Sequence, residues 1–335
     1  MAVHINPGDF ALPAFFGLAY PYILLVNIII VLIWAALLKF EALISVFIIA
    51  LGFTHLKNYI QIGKHPGNKE NTFRVMSYNL RLFNYFENDD TYSEKKVLEF
   101  LKDQHPDILC LQEFFINGNP SQKEAEFRKA LGGEYYTHIK IIGSGKNRYY
   151  GIVTFSIFPI AGRGEIIHPG SSSLSIFTDI VIEKDTFRIF NNHLQSFRLR
   201  KIERSFLDEI TYPDDKEALN KMRKISLNLK QGFVRRAQQS QVVKAQINHS
   251  PYPVIVAGDF NDTPVSYSYR RIRSGLYDSF VSSGYGAGFT YKGNYPPNRI
   301  DFVLYDNALE SRYFEIVKVK YSDHYPVIAY FRKRN

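Results

Sequence analysis

The chain has 335 residues, of which 46% are hydrophobic, 15% aromatic and 22% charged, a balance that buries a large core and excludes a disordered, collagen-like or low-complexity protein. One cysteine, Cys110, excludes an internal disulfide framework and any cysteine-built metal site. Lys and Arg number 41 against 32 Asp and Glu, and the net charge of +9 suits an anionic partner such as nucleic acid, phospholipid or phosphate ester, or equally a basic surface with no partner.

Residues 10–38 contain no charged side chain, a run of 29. A bilayer-spanning helix needs about 20 apolar residues, so the run is long enough. Lys39 and Glu41 interrupt it, and a second stretch, residues 42–62, holds only His55 and Lys57 as charged or titratable groups. Residues 1–62 therefore read as a membrane hairpin of two hydrophobic helices, seated in a lipid bilayer through residues 10–62. Tyr20, Tyr22, Trp34 and Tyr59 are candidates for its interfaces. One span followed by an interfacial helix is the alternative. The first nine residues carry no Lys or Arg and the apolar run is long, which disfavours a cleavable signal peptide. The expected location is a bacterial-type inner membrane, multi-pass. Lys39 in the short loop places the rest of the chain outside, whereas Lys57, Lys64 and Lys69 argue the reverse; Asp9 before the first helix and Lys39 after it tip the reading to the outer face.

Residues 63–72 are polar with Gly and Pro and read as a linker. Residues 73–335 have the length of one large α/β domain. Strands are expected at 73–78, 107–111, 135–142, 151–158, 174–183 and 186–192, the last two joined by a turn at Glu183-Lys184-Asp185-Thr186. Helical spacing covers 93–104, and a capping box at Ser121-Gln122-Lys123-Glu124 opens a helix that stops at Gly132-Gly133. A polar, helix-compatible segment runs from 195 to 249. A buried-type strand follows at 253–257, then a short helix starting at Thr263-Pro264 and ending near Gly275, and strands at 299–305, 313–320 and 326–331. Many adjacent strands with few helices between them predict packed sheets flanked by helices.

Chemistry-bearing residues gather at the strand ends. Asn79 follows the first strand, Glu113 the second, His193 the strand ending Phe190-Asn191-Asn192, and Asp259 and Asn261 the strand at 253–257. Asp301 lies within an apolar strand, where a buried carboxylate needs a partner. Asp323 and His324 precede the last strand. Singly, each has a plain reading as a turn or hydrogen-bonding residue. Together they form a set suited to phosphoryl transfer, which needs a cation, an oriented water and a donor for the new charge.

The stretches Ser77-Tyr78-Asn79-Leu80-Arg81, Leu111-Gln112-Glu113, Asn192-His193-Leu194, Gly258-Asp259-Phe260-Asn261-Asp262, Arg299-Ile300-Asp301-Phe302 and Ser322-Asp323-His324-Tyr325-Pro326, in this order, resemble the endonuclease/exonuclease/phosphatase superfamily over roughly residues 72–332. That family includes pancreatic-type deoxyribonucleases, abasic-site endonucleases, inositol polyphosphate 5-phosphatases and neutral sphingomyelinases. The resemblance implies a four-layer α/β sandwich of two packed mixed sheets flanked by helices, here preceded by the membrane hairpin. It implies a phosphodiester hydrolase dependent on Mg²⁺, with Mn²⁺ as the alternative. It implies Glu113 as principal metal ligand with Asn79 and Asp323 close to the same position. Asp259 and Asn261 would orient and activate water, His324 held by Asp301 would stabilise or protonate the developing charge, and His193 would bond a phosphate oxygen; which residue is the base differs among family mechanisms.

Two features depart from the family pattern. A basic residue expected in the run from Gly151 to Pro159 is replaced by Ile157, which puts contacts on that side of the site in doubt. Between His193 and Asp259 lie 65 residues, and residues 195–240 carry 11 Lys and Arg against 6 Asp and Glu, a basic helical insertion suited either to lipid headgroups or nucleic acid or to a solvated face. The substrate stays open between nucleic acid and a phospholipid or sphingolipid headgroup, with the hairpin favouring lipid. An inactive, membrane-tethered binding module on the same fold is the alternative. Oligomeric state is not legible.

Overall fold

A computed structural model of the chain describes residues 1–62, 67–86, 93–197, 216–293 and 297–334. Part of the expected linker and residues 198–215 of the basic insertion lie outside the described residues.

The first apolar run folds as two helices, α1 (Leu12–Leu18) and α2 (Tyr20–Ala36), bent by 64°. Pro21 in the first turn of α2 accounts for the break, since it has no N–H to give and its ring crowds the carbonyl four residues back. The second run gives α3 (Ala42–Leu51), ends at Gly52 and adds one turn, α4 (Phe53–Leu56). The two continuous helices expected from the sequence are thus four shorter ones. No single described helix is long and apolar enough to cross a membrane; α1 and α2 together have the length and composition. Helices α2 and α3 lie against each other, and Leu25, Leu32, Phe47 and Leu51 stay more than half exposed on their outer faces.

The base of this hairpin packs on the rest of the chain. Tyr59, expected at an interface, is buried; its ring stacks on Tyr20 at 5.8 Å and packs with Val3 and Val265. A Cβ on Gly17 would lie 2.3 Å from the Val265 carbonyl oxygen, so only glycine allows α1 this close. The Asn58 carbonyl accepts from the buried Arg299 guanidinium, which also pairs with the buried Asp278 carboxylate. Burial opposes ionisation of Asp278, but Arg299 and Arg273 outweigh it and hold the carboxyl below its usual range. After this knot comes the two-residue strand β1 (Ile60–Gln61).

The remaining elements are β2 (Phe73–Asn79), α5 (Glu94–Gln104), β3 (Ile108–Asn117), α6 (Pro120–Ala130), β4 (Tyr136–Gly145), β5 (Arg148–Ser156), β6 (Ile160–Ile166), β7 (Leu174–Ile182), β8 (Asp185–His193) and α7 (Lys216–Asn248). They continue with β9 (Val254–Asp259), α8 (Tyr267–Arg273), β10 (Tyr277–Asp278), α9 (Ser279–Ser283), β11 (Gly286–Ala287), β12 (Asp301–Tyr305), β13 (Leu309–Ile316) and β14 (Val327–Lys333). Two six-stranded sheets result, in the orders β13-β14-β2-β3-β5-β4 and β10-β12-β9-β8-β7-β6. Both are mixed: β2–β3 and β8–β9 run parallel and their neighbours antiparallel. Strand β1 pairs with β11 outside both.

Side-chain alternation explains the layers. In β9, Ile255 and Ala257 face the other sheet with Val75, Cys110, Ile189 and Val327, while Val254 and Val256 face Val243 of α7 and Ile272 of α8. Leu109 and Leu111 of β3 likewise face Leu101 of α5 and Phe127 of α6. The stack is helix, sheet, sheet, helix, the α/β sandwich of two mixed sheets expected from the sequence.

Local details differ from expectation for identifiable reasons. Helix α6 is capped by Asn119, whose side chain accepts from the Ser121 and Gln122 N–H groups, because Pro120 takes the first helical position and moves the cap upstream of Ser121. Helix α8 starts after Ser266, whose hydroxyl accepts from the Tyr269 N–H, and not at Thr263-Pro264.

One glycine is sterically required beside the site. A Cβ on Gly258 (φ +133°) would lie 2.0 Å from the Asn192 carbonyl oxygen on the neighbouring strand. Gly258→Ala is expected to destabilise the fold by more than about 1 kcal/mol. Thermal unfolding checks this at about 2–4 °C per kcal/mol.

Candidate active site

The two parallel strand pairs, β2–β3 and β8–β9, bring residue groups to the crevice beyond their carboxyl ends, the usual place for a site in such sheets. Asn79 closes β2, His193 closes β8 and Asp259 closes β9. Because β12 runs antiparallel to β9, its first residue, Asp301, falls opposite Asp259. Glu113 lies in β3 where the register shifts between Leu111 and Phe114, at φ 50°; the bulge turns this side chain off the ladder. Asn261 also has positive φ, 51°. Such conformations cost of order 1–3 kcal/mol each and collect at functional sites.

All eight residues singled out in the sequence meet here. The Asn79 amide donates to Asp259 Oδ2 at 2.9 Å and to Glu113 Oε1 at 3.3 Å. The Asn261 backbone N–H donates to Asp259 Oδ1 at 2.7 Å, and its side-chain amide to Asp259 Oδ2 at 3.1 Å. His324 Nδ1 stands 3.1 and 3.0 Å from the two Asp301 oxygens, which answers that buried carboxylate's need for a partner. His324 Nε2 points back into the site, 3.8 Å from Asp259 Oδ2 and 3.9 Å from Asp323 Oδ1. His193 Nε2 is buried without a hydrogen bond and faces Glu113 Oε1 at 3.4 Å.

Electrostatics follow from the packing. Burial raises the Asp259 carboxyl to about 6, against the pull of His324. Burial also opposes charge on His324, but Asp301 and Asp259 outweigh it and raise the imidazole to about 10. The ring is therefore a cation held between carboxylates.

Three contributors were missed in the sequence. The Arg81 guanidinium reaches Asp323 Oδ2 at 3.4 Å. It starts a left-handed turn in which Arg81, Leu82, Phe83 and Asn84 have φ of 48, 52, 55 and 58°. That conformation costs roughly 1–2 kcal/mol per residue. Phe83 pins the turn, its ring buried against Phe114 and Phe127, and Asn84 bonds the Tyr321 carbonyl. Gln112, buried behind the site, donates to Asn191 Oδ1 at 2.7 Å and ties the two sheets together; a lone amide in an apolar strand was its signal. Tyr291 sets its ring against His324, centroids 5.0 Å apart. The substituted Ile157 follows Ser156, which pairs with Ile108 at the far end of β3 from Glu113, so the missing basic residue bears on no contact of this site.

Carboxylate and amide oxygens without sulfur are the donor set of a hard divalent cation. Asp259, Asp301 and His324 offer ligand atoms within 4.8 Å of one another. Both Asp301 oxygens already engage His324, and Asp259 already accepts from Asn79 and Asn261. Glu113 is the more open carboxylate, its side chain 29% exposed against 1% for Asp259, and it faces the unsatisfied His193 nitrogen. The site fits a divalent cation on these grounds.

An α/β sandwich with acidic residues, amides and an Asp–His pair at the carboxyl ends of its parallel strands is a phosphoesterase and nuclease fold. Residues 76–324 match the Endonuclease/Exonuclease/phosphatase family, and the chain belongs to it. Residues 1–59 match a separate family described as a domain of unknown function. No curated protein matches the chain. Among solved structures, it is similar to an endonuclease/exonuclease/phosphatase family protein from Leptotrichia buccalis, at 14% identity and TM-score 0.54, covering 78% of this chain and 100% of that one. It is similar to the human nocturnin catalytic domain with bound sulfate, at 17% and 0.56, covering 80% and 96%. A Bacteroides vulgatus family member aligns at 19% and 0.52, covering 79% and 100%. These likenesses show the fold. The family typically hydrolyses phosphodiesters and is generally dependent on a divalent metal.

Proposed function

We propose that the protein is a membrane-anchored phosphodiesterase that attacks its substrate with water and uses a divalent cation, Mg²⁺ or Mn²⁺. The observation that carries this reading is the convergence of the hydrogen-bonded Asp301–His324 pair and the Asp259–Asn79 pair, with His324 Nε2 3.8 Å from Asp259 Oδ2 and Glu113 beside them. Glu113, Asn79 and Asp323 would hold the cation, which would supply charge neutralisation on the phosphate oxygens. Asp259 and the Asn261 amide hold the attacking water, and Asp259, raised toward neutrality, takes its proton. Asp301 fixes His324 by its Nδ1, leaving the Nε2–H of the cationic ring to donate to the developing oxyanion. His193 donates to a second phosphate oxygen.

The exposed apolar side chains of α2 and α3 support insertion in a bilayer. At 17 residues, α2 is about 25 Å long, short of the hydrocarbon thickness of about 30 Å, and it is the bent pair of α1 and α2 that has the length and composition of a span.

A substrate panel on the detergent-solubilised full chain tests the proposal. Single- and double-stranded DNA, sphingomyelin, phosphoinositides and a bis-aryl phosphodiester are each incubated with Mg²⁺ or EDTA. Turnover of at least one diester, lost in EDTA, is the expected result; no turnover of any, with metal added, overturns it. Cleavage of lipid alone makes the hairpin part of substrate access, and cleavage of DNA alone makes it only an address.

A further inference from the structure

A second cluster of cationic side chains lies apart from the site. Between the base of the hairpin and α8 is a cavity of about 580 Å³ lined by the cationic Arg270, Arg271 and Arg273, by His4, by His55, whose pKa burial lowers, and by uncharged residues. No carboxylate and none of the eight active-site residues is among its lining. The cluster is built into the fold. Arg273 is fixed by a 3.0 Å bond to Asn58 Oδ1 and lies over the Tyr269 ring, and His55 sits edge-on to Tyr20 at the foot of α2. Arg270 and Arg271 are exposed on α8. Lys244, bonded to the Ser274 carbonyl, adds a further cation beside them; burial and then repulsion from Arg271 lower its pKa.

The buried Asp278 carboxylate offsets the charge of Arg273 as well as that of Arg299, but the cavity lining sets no carboxylate against Arg270 and Arg271, and such cations repel one another unless an anion joins them. Guanidinium groups match phosphate oxygens in pairs. The cavity opens where the apolar hairpin meets the polar domain, the level at which headgroup phosphates lie when a hairpin is in lipid.

We propose that this cleft is a second, noncatalytic binding site for a phosphate group, filled by the headgroup of an anionic lipid. The lipid assignment rests on the membrane reading above; the phosphate site itself does not.

Two measurements on the full chain test it. In the first, the purified protein is reconstituted with phosphatidylcholine vesicles or with vesicles that also contain phosphatidylglycerol, and the bound fraction is measured. Wild type is expected to favour the anionic vesicles about tenfold. The double variant Arg270→Gln/Arg271→Gln is expected to lose that preference while binding phosphatidylcholine as before. Turnover of the bis-aryl diester by this variant should equal wild type, which confirms an intact fold. In the second, the detergent-solubilised chain is treated with phenylglyoxal, with and without inorganic phosphate, and modification of Arg270 and Arg271 is read by mass spectrometry. Protection by phosphate supports the site without any membrane.

Protection by phosphate with no anionic preference removes lipid as the occupant and leaves free phosphate. Failure to bind either vesicle refutes the hairpin reading, and the protection result then decides the site alone. No protection together with no anionic preference overturns the proposal.

Discussion

Asp259→Asn is expected to lower phosphodiester turnover on the order of 10³-fold, the range for loss of a general base, with little change in KM. The carboxylate is the hub of the site: Oδ1 accepts from the Asn261 N–H, and Oδ2 accepts from the side-chain amides of Asn79 and Asn261. An asparagine keeps one oxygen for the backbone bond but turns an NH₂ donor toward two other donors. It also removes the carboxylate oxygen proposed above to take the proton from water. Steady-state kinetics on a diester, with circular dichroism to verify folding, measures this. A rate within about tenfold of wild type would remove Asp259 from the base role.

Glu113→Ala is the second large effect. The residue is part-exposed in a bulge, and its side chain meets Asn79 and His193 at 3.3 and 3.4 Å, so its loss should leave the melting temperature nearly unchanged. Alanine inherits the same positive φ, so the backbone strain is common to both proteins. The metal-dependent part of the rate should vanish, so that activity with Mg²⁺ equals activity with EDTA. Metal affinity by calorimetry should fall at least about 10–100-fold. Full metal-stimulated activity in this variant would show that the cation is held by Asp259, Asp301 and His324 instead, the trio whose ligand atoms already lie within 4.8 Å.

The order of short motifs made the site readable because each one ends a strand, and parallel pairing carries strand ends to one crevice. The β-branched run of β9 and the apolar run at 107–111 announce buried strands; β9 stands close to where expected, while β3 continues through the bulge at Glu113 to Asn117, six residues past its expected end. What stayed hidden depends on contacts remote in sequence. Strand β6 has two glycines and a charged residue at its centre, Gly162-Arg163-Gly164, and takes its shape from pairing with β7. The left-handed turn at Arg81 has no glycine to mark it; the buried Phe83 ring enforces it. The hairpin's division into four helices was masked by uniform apolarity, and only Pro21 and Gly52 marked the breaks.

Strand β1 pairs with β11 only three residues after the hairpin's last turn, and the Asn58–Arg299 bond lies just ahead of it. A polar linker on its own would let the catalytic domain swing freely, sampling a wide dome above its anchor. On the membrane anchoring proposed above, this stitching before the linker begins would hold the domain at a set tilt and height. A bound lipid surface would then act as a ruler, admitting to the crevice only those phosphates presented at one distance from the plane.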